Sequence, residues 1–421
     1  MNLRQICATL GAAALMVAAT ANATVHRVFP GESIQAAIDA AAPGDTILVE
    51  PGTYQGAAGS KYGLRITKDN LRLIGKVIPG QGEKGKVRIL HNGSQETGVY
   101  AAPAGCDYRV AADSELGQQC KAKTLQGFYI RGFTVEGFPV NGIQTRWVDG
   151  FEFVRNESVN NRNNGIYPTL SANGLVQNNV SYGSLDTAMW VAGSENVRVI
   201  GNELYGSVIG FEITVSNNVW VTQNKIHGNT LGIGLFHPNG AGNPPKPVMK
   251  NWVIEHNDVR DNNRPNDAPD DSFQSFLPPG IGILLAGVSD HVIAKNTVAD
   301  NDFVGIAVLG WCAANDGTPN ACPDPENPED PPLPPLLADP AANNNLVSQN
   351  KVSGNGLHPP PISIAFLAAD ITYFEVEGSS GNCFEKNKPS GFSFFSSEPP
   401  FSFAVFPFQS GPLPTDGCKK P

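Results

Sequence analysis

The sequence predicts an all-β chain wound as a single-stranded parallel β-helix, a solenoid with an N-terminal capping helix and long inserted loops. Three observations predict it. First, the chain nearly repeats itself: "VIGNELYGSVIGFEI" from Val199 is followed by "VTQNKIHGNTLGIGL" from Val221. Second, the repetition has a period. The pairs Gly142-Ile143, Gly165-Ile166, Ala188-Met189, Gly210-Phe211, Gly232-Ile233, Gly282-Ile283 and Gly305-Ile306 are spaced 23, 23, 22, 22, 50 and 23 residues apart. Third, apolar residues inside a unit alternate, as in "WVTQNKI", which is the period of a strand and not of a helix. A unit of 22 to 23 residues, rich in Gly and Asn, is too short for a helix pair and lacks the fixed leucine frame of a leucine-rich repeat. Short strands separated by bends, with each rung pairing to the next at about 4.8 Å, satisfy all three.

The elements follow in chain order. Residues 1–23 carry Arg4, the apolar run "ATLGAAALMVAAT" and Ala21-Asn22-Ala23, the features of a secretory leader cleaved after Ala23. The mature protein is therefore expected in the periplasm or outside the cell. No later run approaches the roughly 20 apolar residues needed to span a bilayer. Residues 24–54 read as strand, amphipathic helix from Ser33 to about Ala41, Pro-Gly-Asp turn and strand from Thr46 to Glu50, a cap over the open first rung. Residues 55–370 form the solenoid, with insertions at 241–280 and 311–345; the second contains the Pro-rich "CPDPENPEDPPLPPLLADP". Residues 371–421, with the Phe-rich "FSFFSSEPPFSFAVFPF", form the opposite cap.

Inside the solenoid, Asn178, Asn202, Asn224, Asn257, Asn296 and Asn350 each precede one residue and then an apolar one. A side-chain amide donates and accepts, so such a column can bond to itself from rung to rung. Six cysteines outside the leader fall in close pairs, Cys106–Cys120, Cys312–Cys322 and Cys383–Cys418. Loop closure favours those pairings, zinc spacing is missing, and disulfides fit an oxidising compartment.

Lys and Arg total 29 against 39 Asp and Glu, a net charge of -10. That balance argues against nucleic acid as a partner. A monomer acting on a polysaccharide is expected, and an anionic one requires a local basic patch or a bridging cation. The stretch "NDAPDD", with Asp267, Asp270 and Asp271, can collect Ca²⁺ through oxygen ligands or simply be a solvated acidic loop. No other cofactor is indicated.

In each rung the residue after the Gly points inward and the next points out, which builds an outward column of Gln144, Tyr167, Trp190, Glu212, Gly234, Leu284 and Ala307. Two large aromatics beside a carboxylate suit the apolar faces of sugar rings; they equally suit packing under a loop. Neighbouring columns add Arg146, Asp186 and His237. A base to take a proton α to a uronate carboxylate, a cation to neutralise that carboxylate and an acid for the leaving oxygen are what β-elimination or C5 epimerisation demands. Glycoside hydrolysis needs two carboxylates about 5 to 9.5 Å apart. Structural alternatives stand beside each role: Asp186 can close the turn after Gly183-Ser184, Arg146 can pair with a neighbouring Glu, and His237 can be an ordinary loop residue. Glu212, in "GFEITV", has the least structural reason to be charged.

The segment "ESIQAAIDAAAPGDTILVEPGTY" resembles the opening of right-handed parallel β-helix proteins of the pectin-lyase-like superfamily. The run "NNGIYPTLSANGLVQNNVSYGSLDTAMWVAGSENVRVIGNELYGSVIGFEI" is similar to the bacterial secreted branch of parallel β-helix repeat proteins. The resemblance covers Val28 to about Phe366 and implies right-handed winding. It implies either a lyase or epimerase of an acidic glycan, or a non-catalytic β-helix that binds glycan or a cell-envelope partner. A D-P-H-D-like run of the alginate-epimerase kind, adjacent-rung Asp pairs of the polygalacturonase kind and nonapeptide calcium repeats are all missing from the sequence.

Overall fold

The computed structural model describes residues 23–237, 249–311, 341–362, 364–374, 380–396, 413–415 and 418. The leader expected at 1–23 lies outside them up to residue 22, as do the Cys312–Cys322 pair and most of the Pro-rich and Phe-rich insertions.

Three long sheets run the length of the molecule, of twelve, eleven and eleven strands, and consecutive rungs pair in parallel within each. In the second sheet the strand Ile209–Thr214 pairs with Thr187–Ala192 below and Leu231–Phe236 above. Ile143, Ile166, Met189, Phe211, Ile233, Ile283, Ile306 and Ile371 stack as one fully buried column of the core. Every one of them follows the motif position occupied by Gly in most rungs. That Gly is explained by close approach: a Cβ on Gly232 would sit 2.5 Å from the carbonyl oxygen of Gly282, and one on Gly282 2.5 Å from that of Gly305.

The amide ladder is present, with one correction of register. Asn156, Asn179, Asn202, Asn224, Asn257, Asn296, Asn350 and Asn387 form it, each donating its backbone N–H and Nδ2 to the next Oδ1 at 2.8–3.1 Å. Asn178, the residue the sequence pattern selects, instead takes the left-handed bend (φ 55°) one place earlier. A second ladder, Asn229, Asn262, Asn301 and Asn355, ends on Asp370, whose other oxygen accepts the N–H groups of Ser390 and Gly391.

Two boundaries differ from the sequence reading. Residues 241–280 are not one loop: strands Trp252–Glu255 and Asp258–Arg260 lay a rung into the first and third sheets. Nor does the solenoid stop at 370, because Ala369–Phe374, Cys383–Glu385, Lys388–Pro389 and Ser393–Ser396 extend all three sheets. In both places insertions mask the repeat period, so the pattern is lost although the pairing persists. Two of the three expected disulfides are formed, Cys106–Cys120 and Cys383–Cys418. Among the described residues no helix is long and apolar enough to cross a membrane.

The capping helix runs Ile34–Ala40, with Ser33 accepting from the Ala36 N–H and Ile34 and Ile38 buried over the first rung. Asp45 ties this cap down: it accepts from the N–H groups of Thr24 and Ala42 and lies 2.8 Å from His26 Nε2. These bonds, His26 foremost, hold its pKa down to about 2 from 3.8. A depressed folded-state value means that the stabilisation is present above the unfolded value and lost as pH falls from there through about 2. Asp45→Asn is therefore expected to flatten that part of the acid-unfolding curve followed by circular dichroism.

Candidate active site

The outer face of the second sheet changes character along the solenoid. Its central column reads Arg65, Tyr100, Gln144, Tyr167, Trp190, Glu212, Gly234, Leu284, Ala307 and Thr372. Loops cover both ends and leave a strip between them.

At the N-terminal end the excursion 102–124, closed by Cys106–Cys120 and carrying helix Glu115–Ala122, lies on the sheet against Tyr100 and Trp147. Arg65 donates to the carbonyls of Ile66, Ala102, Pro103 and Cys106. Arg146 donates to those of Tyr108 and Val110 and lies over the Trp147 ring. The structure thus corrects two expectations. Arg146 clamps a loop, its guanidinium engaged by loop carbonyls, and it pairs with no Glu among the described residues. Gln144 is buried, its Oε1 accepting from Asn141 Nδ2 at 2.9 Å. Arg146→Met is expected to lower stability by about 1–3 kcal/mol, the cost of leaving buried carbonyls unpaired, and to leave turnover unaltered; thermal unfolding and kinetics read the two separately.

At the C-terminal end the same face is apolar. Phe236, Leu284, Ala307 and Leu309 pack with the turn Phe273–Phe276 and Leu367 around a void of about 60 Å³. The one polar side chain in its lining among the described residues, Thr372, donates to the Leu367 carbonyl.

Between the two covers, Tyr167 and Trp190 stack on each other with centroids 4.6 Å apart and planes 13° apart. One face of each ring is thus taken up by the other, and both side chains are half-buried. Trp190 Nε1 donates to Thr214 Oγ1 at 3.0 Å, which fixes the pair.

Beside them lie the two carboxyls. Asp186 and Glu212 are only 7% and 4% exposed. Thr187 Oγ1 sits between them, 3.0 Å from Asp186 Oδ1 and 2.8 Å from Glu212 Oε2. Gln274, on the segment that follows Arg260, lines the same cavity as Asp186 and favours its ionised form. Burial pushes both carboxyls up from their ordinary range; the Thr187 contact opposes this in each, and the charge of Asp186 raises Glu212 further. Among the described residues neither carboxyl has a Lys, Arg or His ion-pair partner.

Asp186 forms part of the wall of a cavity of about 180 Å³ shared with Arg162, Asn163, Leu185, Ser272 and Gln274. Arg162 is exposed and enters no ion pair among the described residues. Sequence reasoning missed Arg162, Thr187 and Gln274. The repeat places Arg162 one rung below Leu185, whose N–H bonds the Arg162 carbonyl, so the period contained that signal. Gln274 lies on an insertion and left none.

The remaining candidates stand apart. His237 is three residues beyond Gly234, the register partner of Glu212, roughly 10 Å along the strand, and its N–H donates to the Ala286 carbonyl. Asp267 is paired with Arg264, while Asp270 and Asp271 are exposed. Among the described residues no three His, Cys, Asp or Glu are grouped to hold a metal.

Residues 139–320 match the family model described as "right handed beta helix region". No curated protein sequence matches the chain. The chain is similar in structure to the A-module of mannuronan C-5 epimerase AlgE4 from Azotobacter vinelandii, at TM-score 0.55 and 16% identity, over 87% of this chain and 93% of that one. It is also similar to a point mutant of DFA-IIIase from Arthrobacter chlorophenolicus A6, at TM-score 0.50 and 13% identity, over 89% and 85% of the two chains. At such identities the likeness is one of fold. Three parallel sheets, internal amide ladders and these matches identify the chain, in fold, as a right-handed parallel β-helix.

Proposed function

We propose that this protein is an exported enzyme acting on an acidic polysaccharide, as a lyase or a C5-epimerase, with Asp186 and Glu212 as its acid–base pair. One observation carries the reading: two carboxyls are buried together, without an ion-pair partner among the described residues, and one of them, Asp186, forms part of the wall of a cavity. Burying carboxyls that way costs stability, and the fold gains nothing evident in return. Perturbed carboxyls in a cleft are the usual mark of a site that moves protons. Arg162 supplies the cation for a uronate carboxylate, the part that the sequence pattern gives to Arg146. With that carboxylate neutralised, a carboxylate at Asp186 takes the C5 proton; protonating the ring on the other face gives the epimer, and expelling the O4 substituent gives the unsaturated lyase product. The two formed disulfides fit an extracellular or periplasmic protein. A leader cleaved after Ala23 and a monomeric state complete the proposal.

The rival reading, a non-catalytic glycan-binding β-helix, is favoured by the neutral Gln274, which lines the cavity together with Asp186. Incubation with mannuronan, guluronan and polygalacturonate separates the two. The enzyme reading expects ultraviolet-absorbing unsaturated ends, or deuterium uptake at C5 in heavy water. Binding of any of these glycans without either change defeats it and leaves the binder.

A further inference from the structure

We infer that Asp186 and Glu212 hold one proton in common through the hydroxyl of Thr187, with Asp186 the member that meets the ligand and Glu212 the reserve behind it. The inference rests on reading this pair as the acid–base apparatus, and it begins with counting hydrogens. Thr187 Oγ1 carries one hydrogen yet lies within hydrogen-bond distance of a carboxyl oxygen on each side, Asp186 Oδ1 at 3.0 Å and Glu212 Oε2 at 2.8 Å. With both carboxyls ionised, the hydroxyl can donate to only one and must press its lone pairs against the other oxygen. A single added proton removes the conflict. The protonated carboxyl then donates to Oγ1 and the hydroxyl donates to the remaining carboxylate.

That proton has two equivalent places. When Glu212 Oε2 carries it, a concerted shift passes it to Thr187 Oγ1 while the hydroxyl's own hydrogen moves to Asp186 Oδ1. Glu212 becomes the carboxylate, Asp186 the acid, and Thr187 ends as the hydroxyl it was; one O–H bond breaks and one forms at each step of the chain. Access gives the relay its direction. Asp186 forms part of the cavity wall, Glu212 does not, and Thr187 is fully buried between them. Proton exchange between Glu212 and the cavity therefore runs through Thr187 and Asp186.

Among the described residues neither carboxyl has an ion-pair partner that would hold both ionised. Tyr167, on the strand below, is the titratable neighbour that both carboxyls act on, and its own ionisation is pushed up chiefly by burial. Arg146 also acts on Tyr167 but is spent on loop carbonyls. Arg162 stands across the cavity, and the loop contributes the neutral Gln274 and Ser272. Thr187 is on this account a positioning residue, acting through the two carboxyls and not on the ligand.

Carbon-13 NMR of the side-chain carboxyls, with the intact chain titrated without substrate, tests this. In the wild type the Asp186 and Glu212 carboxyl carbons are expected each to shift in both of two separated steps, the mark of a shared proton. In Thr187→Val each carbon is expected to shift in one step only, and Thr187→Ser should restore the shared pattern. Glu212→Gln should leave Asp186 with a single step. Two fully ionised carboxyls at neutral pH overturn the inference, as does a shared pattern that survives in Thr187→Val. Should Thr187→Val fail to fold, Glu212→Gln decides, since an Asp186 titration unchanged from wild type is equally fatal. No substrate enters the measurement, so missing turnover would defeat the proposed reaction and leave the shared proton standing.

Discussion

Asp186→Asn is expected to lower turnover of an acidic glycan by about 10²–10⁴-fold, the usual worth of a positioned acid–base group, while glycan binding stays within a few fold of wild type. The substitution preserves shape and an oxygen facing Thr187, so it removes the exchangeable proton and little else. Stability should move the other way. Both carboxyls have folded-state pKa values raised by burial. A raised value means that their contribution to stability is intact below the unfolded pKa and is lost as pH rises through the folded one. Glu212→Gln is therefore expected to match wild type in mild acid and to unfold at a higher temperature than wild type in mild alkali. A wild type that is more stable than Glu212→Gln at alkaline pH would show that the pair serves the fold, and the functional reading would go.

Asn224→Ala is expected to lower stability by about 2–6 kcal/mol by urea unfolding. Its Oδ1 is the acceptor for both the N–H and the Nδ2 of Asn202, and its Nδ2 serves the Val199 carbonyl and Asn257. Removing it strands two buried donors at about 1–3 kcal/mol each, before the lost donation upward is considered. Because each rung touches only its neighbours, the damage should divide the solenoid at that level and broaden the transition. Asn178→Gly supplies the control. Asn178 occupies a left-handed bend that glycine adopts freely, so the change should cost little. Equal losses at the two positions would contradict the ladder assignment.

The period was legible because each rung repeats the same demands: an apolar residue inside, a residue without bulk where the next carbonyl approaches, and an amide at the bend. Even the register error at Asn178 came from two adjacent asparagines with different duties, one bending the backbone and the other bonding along the axis. The outward column was also legible, since strand alternation fixes which residues leave the core. What lies on top of it was not. Gln144 and Arg146 point away from the core as expected, yet an aperiodic excursion crosses them, and its carbonyls claim the guanidinium. Tyr167 and Trp190 were placed on neighbouring rungs correctly, but whether rings stack on each other or lie open to a ligand is a matter of rotamer, on which periodicity is silent. Asp186 and Glu212 were brought together by the period, and Thr187 followed from being next in the chain. Gln274 comes from a segment with no repeat to locate it.

The measurement that bears most directly on the account is a crystal structure of the Asp186→Asn chain grown with an acidic oligosaccharide. The account predicts a sugar carboxylate against Arg162 and a ring carbon facing residue 186 in the cavity that Gln274 also lines. An oligosaccharide bound elsewhere, for instance along the exposed Asn173, Asn196 and Asn218 amides of the first sheet, with the cavity beside residue 186 left to solvent, would contradict it.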